Sequence, residues 1–569
     1  MQKFKILFIL LLIHTGLTAQ MLTVGNISQH IVSSTQKYIK GKNKPIVDSI
    51  YAENYNRPLW IDNHQKAKMA ALIDAIKNPF FNYKNKSFDQ KSIGKLLFEL
   101  DNNEISPAQK ARVYGRLDVI LTNSFVRLVR FIVQGDVDWN LVQKKLKALK
   151  NSDNIKAHWS MSIKGMPNSS HLANIIRDGN IQSYLKSLIP MEKRYSQLIG
   201  ILKKYLRMSK FPAIAYSHKT LKVGESDARI EQIKKQLQIL GDYPRQGKIN
   251  SKFTHTLQKA VLRYQKRHLL ELTGQIDKTV IYYLNQSLNH NIQAIITNLD
   301  KTKLYPKYFE PEHIEVNIPD FNLRYYQNGK KLLKMGLVVG RIDRPTPIFS
   351  DKVKYMVFNP TWTIPDSLIK RDLIHVLREN PLYLEENNIH VFSGNKKINV
   401  SQDMLDPYEH SKKRVPYRFV QYPGENNALG RVKFMFPNKH AVYLHDTDNK
   451  SLFSRRYKVY SSGCVRVKKP FTLARTLLKH SSSNYSYERL ASVIETNKPT
   501  TVKLNKFIPV HMLYFTVYVE DNMAYFKHDI YLYDKIIEES SQGHKKATFT
   551  VPKQRLITIK KKDDKPLSN

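Results

Sequence analysis

Tyr443-Leu444-His445-Asp446-Thr447 and Ser461-Ser462-Gly463-Cys464-Val465-Arg466 are the two stretches on which the reading of this chain turns. Tyr443 and Leu444 end an apolar run, which predicts a strand carrying His445 at its end. Gly463 has no Cβ and lets backbone or ligand come close at the residue before Cys464. Cys464 stands nineteen residues after His445 and is the one cysteine in 569 residues. A free thiol ionises near ~8.5, and a paired imidazole shifts it toward thiolate at neutral pH. His445 is therefore the candidate base for the thiol proton. Asp446 is the nearest residue to orient that imidazole, through its carboxylate or its carbonyl. Backbone N–H groups around Gly463 and Cys464 could form an oxyanion hole, and Arg466 could bind a carboxylate bidentately. Taken singly, each has an ordinary structural reading: a buried histidine, a surface arginine, a thiol packed as a small hydrophobe.

The sequence around these stretches reads as a mainly β domain over residues 310–537. Strands are predicted at 314–318, 323–326, 332–339, 353–358, 432–436 and 441–444, with Gln327-Asn328-Gly329-Lys330 as a hairpin turn. A helix is predicted over 471–480, and late strands at 510–519 and 523–526 are expected to close the domain. Between them lies a long insertion, residues 365–422, of the size used for lids and binding loops. Upstream, residues 223–289 carry three short helices. Ile230, Ile233, Leu237 and Leu240 make the first stripe, and Gly241 stands where a C-cap glycine ends it. Residues 26–215 read as a helical scaffold, with amphipathic runs at 67–76, 111–133 and 191–206. Trp60, Trp139 and Trp159 are expected to anchor helix packing there. The fold class is thus multidomain α+β: helical scaffold, small helical domain, mainly β catalytic domain with a capping insertion.

Lys and Arg outnumber Asp and Glu by 92 to 48, a formal charge of +44. Such a surface meets anions: nucleic acid, acidic lipid or an acidic polymer such as cell wall. There is no zinc-ligand spacing, P-loop or RNA-binding aromatic signature, so neither a metal nor a nucleic acid is expected. Residues 1–19 have the layout of a secretory signal peptide: Lys3 and Lys5, an apolar run from Ile6 to Ile13, and small residues up to Ala19. The expectation is an exported protein in the periplasm or cell envelope, with the signal cleaved or kept as an anchor. A lone thiol in an oxidising compartment is a chemical liability, which sharpens the reading of Cys464. Residues 540–569 hold eight Lys and Arg against two Asp and read as a basic flexible tail.

Taken together, the two stretches resemble the L,D-transpeptidase (YkuD-type) catalytic domain, whose hallmark is a His-bearing strand followed by a Ser/Thr-His-Gly-Cys motif. By that resemblance Cys464 is the nucleophile, His445 the base and Asp446 the orienting position. Ser461 and Gly463 fall on motif positions. Ser462 departs from the usual second histidine, as it does in the longer, YcbB-like branch. That branch is similar also in NNALGRVKFMFPN (426–438), SLFSRR (451–456) and RPTP (344–347). Residues 236–244 and 260–285 resemble a peptidoglycan-binding domain. The resemblance implies attack on the bond between the third and fourth stem-peptide residues, release of D-Ala, a thioester on Cys464, and resolution by a diaminopimelate-type amine to give a 3→3 crosslink. It implies no cofactor, and acylation by carbapenems. Resolution by water would make the same site an L,D-carboxypeptidase, and a wall-binding protein with a silent site is the remaining reading.

Overall fold

The structure is a computed structural model and describes residues 23–60, 66–102, 104–150, 157–208, 212–481 and 485–541. The expected signal peptide, and all but the first two residues of the expected tail, lie outside them.

The N-terminal region is helical and is built around the 27-residue helix Pro107–Val133. A capping box between Ser106 and Gln109, with Pro107 in the first turn, fixes where that helix starts. Its inner face buries Leu117, Leu121, Phe125 and Val129. Trp60 is buried beside it, with its indole N–H on Thr122 Oγ1 at 2.9 Å.

Three helices follow, Arg229–Leu240, His255–Arg267 and Lys278–Thr302. Gly241 does end the first, at φ +91°, a conformation that disfavours any residue with a Cβ. The third runs well past the expected end near 289. Ile292, Ile295, Ile296 and Leu299 continue its apolar stripe, so nothing stops it. One helix therefore carries the chain from the small domain into the next.

The mainly β part contains β1 (Glu312–Asn317), β2 (Asn322–Gln327), β3 (Lys330–Gly340), β4 (Ser350–Phe358), β5 (Trp362–Thr363), β6 (Ile389–Ser393), β7 (Lys396–Ile398), β8 (Arg418–Gln421), β9 (Val432–Met435), β10 (Leu444–His445), β11 (Val459–Ser461), β12 (Val465–Val467), β13 (Thr500–Leu513), β14 (Val517–Glu520) and β15 (Met523–Phe526). Nine of them form one sheet in the order β11-β3-β12-β10-β9-β4-β13-β1-β2. β2, at one end of that order, also pairs with β3, next to last at the other, which curls the sheet on itself. Helix Pro470–His480 covers the core through Leu473, Ala474 and Leu477. The insertion is a separate four-stranded sheet, β5-β8-β6-β7, with short helices and its own apolar core.

Two expectations are corrected. The predicted 510–519 strand breaks after Leu513, and β14 and β15 make a two-stranded sheet apart from the main one. Val517 and Ala524 are buried in the helical core instead, and Phe526 stacks on His268 with centroids 5.0 Å apart. Trp139 and Trp159 are not part of the helical core. They pack in the catalytic core, where Ser160 N–H bonds Ile348 O at 2.8 Å alongside the sheet.

Candidate functional site

β10 is short but central. It pairs with β9 on one side, Leu444 opposite Phe434 and His445 opposite Lys433. It pairs in parallel with β12 on the other, Leu444 opposite Val465 and His445 opposite Arg466. Leu444, Phe434 and Val465 are fully buried in the core. Because side chains alternate across a strand, Tyr443, His445, Lys433, Cys464 and Arg466 share the other face. The two motif stretches thus meet on one face of the sheet, at the mouth of a turn.

Cys464 is half-buried, and its Sγ lies 4.0 Å from Ala441 O. Gly463 takes φ +113°, which a residue with a Cβ rarely adopts. The turn is held from within by Ser461, whose hydroxyl donates to Cys464 O and accepts Gly463 N–H at 3.3 Å. It is braced from outside by Thr346, whose hydroxyl donates to Gly463 O at 2.9 Å and accepts Gly340 N–H at 2.8 Å. Ser462 is exposed and accepts from Arg344 Nη1 at 3.1 Å. Gly463 N–H is therefore committed to Ser461, while Cys464 N–H has no partner among the described residues. Of the two donors expected for an oxyanion, the second is the free one.

His445 is buried, and its ring lies edge-on to Tyr443 with centroids 5.7 Å apart. Burial lowers its pKa to about 3, with the Arg466 charge adding to the effect and the Asp446 backbone opposing it. Nδ1 has no hydrogen-bond partner among the described residues. Burial likewise pushes the Cys464 thiol up to about 11, against the Tyr443 backbone and hydroxyl, Arg466 and Lys433. No hydrogen bond joins ring and sulfur. In place of the expected shift toward thiolate stand a neutral thiol and a neutral imidazole, because burial outweighs the donors and cations around the sulfur, and the same cations disfavour the imidazolium.

Of the two expected routes from Asp446 to the imidazole, carboxylate and carbonyl, the side chain does not take the first. Its carboxylate accepts Arg431 N–H at 2.9 Å and pairs with Lys450, away from the imidazole. Gly430, at φ +59°, makes room: a Cβ there would sit 2.4 Å from the carboxyl carbon. What Asp446 offers His445 is its backbone alone. Arg466 donates to Thr447 Oγ1 at 3.2 Å, and its buried Nε has no partner among the described residues.

Residues 311–500 match the family described as L,D-transpeptidase catalytic domain. The chain carries an L,D-transpeptidase catalytic domain. Residues 45–202 match the family described as a scaffold domain, and residues 226–284 match a peptidoglycan-binding domain. A protein of Haemophilus influenzae described as "Putative L,D-transpeptidase" is 34% identical over 273 residues, 48% of this chain and 54% of that relative. The match thus spans about half the length of the curated relative. Among solved structures, the L,D-transpeptidase of Stackebrandtia nassauensis is 13% identical, covering 53% of this chain and 97% of its own with a TM-score of 0.21. That of Xylanimonas cellulosilytica is 12% identical, covering 53% and 100% with a TM-score of 0.18.

In the L,D-transpeptidase domain four further side chains serve the site without having been singled out by sequence. Tyr443 lies beside Cys464. Lys433 places its ammonium 5.7 Å from the Tyr443 ring centroid, with no carboxylate paired to it among the described residues. The period-2 alternation from His445 pointed to Tyr443, but no local signal marked Lys433, which arrives by strand pairing. Arg344 and Thr346 belong to the RPTP string, whose role only the folded turn reveals.

Proposed function

We propose that this chain is an exported L,D-transpeptidase that forms 3→3 crosslinks in peptidoglycan through a thioester on Cys464. The observation that carries the reading is the convergence on one sulfur of Tyr443, Arg466 and Lys433, next to an unpartnered backbone N–H and with His445 on the same face of the sheet, in a domain of this family. A site of two cations without a paired carboxylate suits a donor whose stem peptide carries free carboxylates, which Lys433 and Arg466 would face. The peptidoglycan-binding domain and the +44 charge suit an anionic wall. No helix among the described residues is long and apolar enough to cross a membrane. The export signal read at residues 1–19 supports a place in the cell envelope.

Mechanistically, a neutral thiol and imidazole favour proton transfer coupled to attack over a resting thiolate. As Sγ bonds to the carbonyl carbon of the third stem residue, the thiol proton passes to His445 and the oxyanion takes the Cys464 N–H. The C–N bond to D-Ala breaks, and its nitrogen leaves with that proton. An acceptor amine then attacks the thioester, gives up its proton to His445, and expels Cys464, which is reprotonated. Substrate must draw ring and sulfur together, a tightening common to catalytic hydrogen bonds.

Intact-mass spectrometry of the mature chain with a carbapenem, beside Cys464→Ala, tests the nucleophile: one adduct on the parent and none on the variant is expected. Digested muropeptides then test the product. Tripeptide monomers without 3→3 dimers would replace the transferase with an L,D-carboxypeptidase.

A further inference from the structure

The insertion is a body hung on the sheet by two neighbouring strands. The chain enters it through β5 and leaves through β8, and these pair with each other at Trp362–Gln421 and Thr363–Val420. Its core, with Ile369, Ile374, Leu405 and Phe419, is separate from the catalytic core. Its ion pairs, Asp366–Lys370, His375–Glu409 and Arg378 with Asp406 and Glu409, stay inside it. Among the described residues one ion pair crosses to the rest of the domain. Asp372 takes Arg344 bidentately, Oδ2 to Nη1 at 2.6 Å and Oδ1 to Nη2 at 3.0 Å.

The position of that pair is informative. Arg344 Nη1 is shared with the Ser462 hydroxyl, two residues before Cys464, and the same loop holds Gly463 through Thr346. The Arg344 side chain is only 10% exposed, whereas Asp372 is 44% exposed and lies in the π-helical turn Ile369–Leu373. Such turns are enriched at functional positions. A planar guanidinium bridging two bodies transmits the place of one to the other, because its fork loses geometry if either partner moves.

We propose that the Asp372–Arg344 pair is the latch that seats the cap over the nucleophile loop, with Arg344 a positioning residue, and that this seating decides whether amine or water resolves the thioester. The second half rests on the acyl-enzyme reading above. In aminolysis the acceptor nitrogen bonds to the acyl carbon, the S–C bond breaks, and the amine's proton returns to sulfur through His445. In hydrolysis water's oxygen forms that bond and a carboxylic acid leaves. Both routes need the same residues, so selection falls to what the seated cap admits.

Two measurements on the full mature chain separate the latch from the chemistry. Hydrogen exchange compares the parent with Asp372→Asn: faster exchange is expected both in the cap and across residues 461–464. Unchanged exchange in 461–464 would overturn the latch, whatever the activity. The second measurement supplies a tetrapeptide muropeptide as donor and acceptor and takes the ratio of crosslinked dimer to tripeptide. Asp372→Asn should lower that ratio about tenfold, equivalent to ~1.4 kcal/mol of closure. The exchanged pair Arg344→Asp with Asp372→Arg should recover part of it. An unchanged ratio, with acyl-enzyme formed, would remove the selectivity role. A parent that forms no acyl-enzyme would overturn the functional reading while exchange still judges the latch.

Discussion

His445 and Cys464 sit on the uncharged side of neutrality, the imidazole at about 3 and the thiol at about 11, both chiefly because burial disfavours their charged forms. Alkylation by iodoacetamide follows the thiolate fraction, so the Cys464 rate should climb about tenfold per pH unit from 7 to 10. A plateau already reached below pH 8 would instead reveal a resting ion pair. The Tyr443 hydroxyl favours the thiolate, and Tyr443→Phe, which keeps the backbone contact, should slow carbapenem acylation by about tenfold with the melting temperature almost unmoved. Asp446 is the opposite case. Its carboxylate is spent on Arg431 N–H and Lys450, so Asp446→Asn should cost ~1 kcal/mol of stability and less than tenfold in acylation. A loss of about a hundredfold at unchanged stability would return the carboxylate to the imidazole.

At the scale of the element, the strand ends decide what reaches the site. Gly430 precedes β9 at φ +59°, and the space a Cβ would need is filled by the Asp446 carboxyl. Gly430→Ala should therefore destabilise by ~2–3 kcal/mol in urea unfolding, from strain and collision together, although residue 430 touches no substrate. The same strand logic shows what was legible. Beside the site, β9 follows from its apolar run, whereas the predicted 441–444 strand keeps only Leu444 because Ala441 turns at φ +53°; Cys464 and His445 follow from chemistry that tolerates few other residues. The sequence left open whether Asp446 acts on His445 through its carboxylate or its carbonyl; alternation turns the side chain from the face that holds His445 and leaves the backbone. The 510–519 run read as one strand because apolar residues continue through it. Tertiary packing cuts it at Tyr514, Phe515 and Thr516, where Thr516 and Tyr514 bond Asp534 and Asp529. Lys433 was invisible for the same reason: strand pairing, not local pattern, puts it opposite His445.

The whole molecule is joined where helix Lys278–Thr302 ends. Asp300 pairs with Lys84 of the helical region at 2.7 Å, and Lys301 pairs with Asp534 of the catalytic part at 2.6 Å. Lys303, one residue beyond the helix, is buried among the rings of Tyr83, Phe131 and Tyr195, its Nζ without a hydrogen-bond partner among the described residues. Burial lowers it to about 7, with Asp300 pulling the other way. An unfolded lysine keeps its proton to about 10.4. Between those values the unfolded chain binds more protons than the folded one, so this group makes stability rise with pH across that window. Below pH 7 its penalty is complete. Lys303→Met keeps the ring contacts and removes the charge, and should raise stability at pH 7 by on the order of 3 kcal/mol. The gain should shrink as pH is raised toward 10, in chemical unfolding followed at several pH values. Equal pH slopes for parent and variant would mean that the ammonium is paid for by solvent or by Asp300, and that the joint carries no buried uncompensated charge.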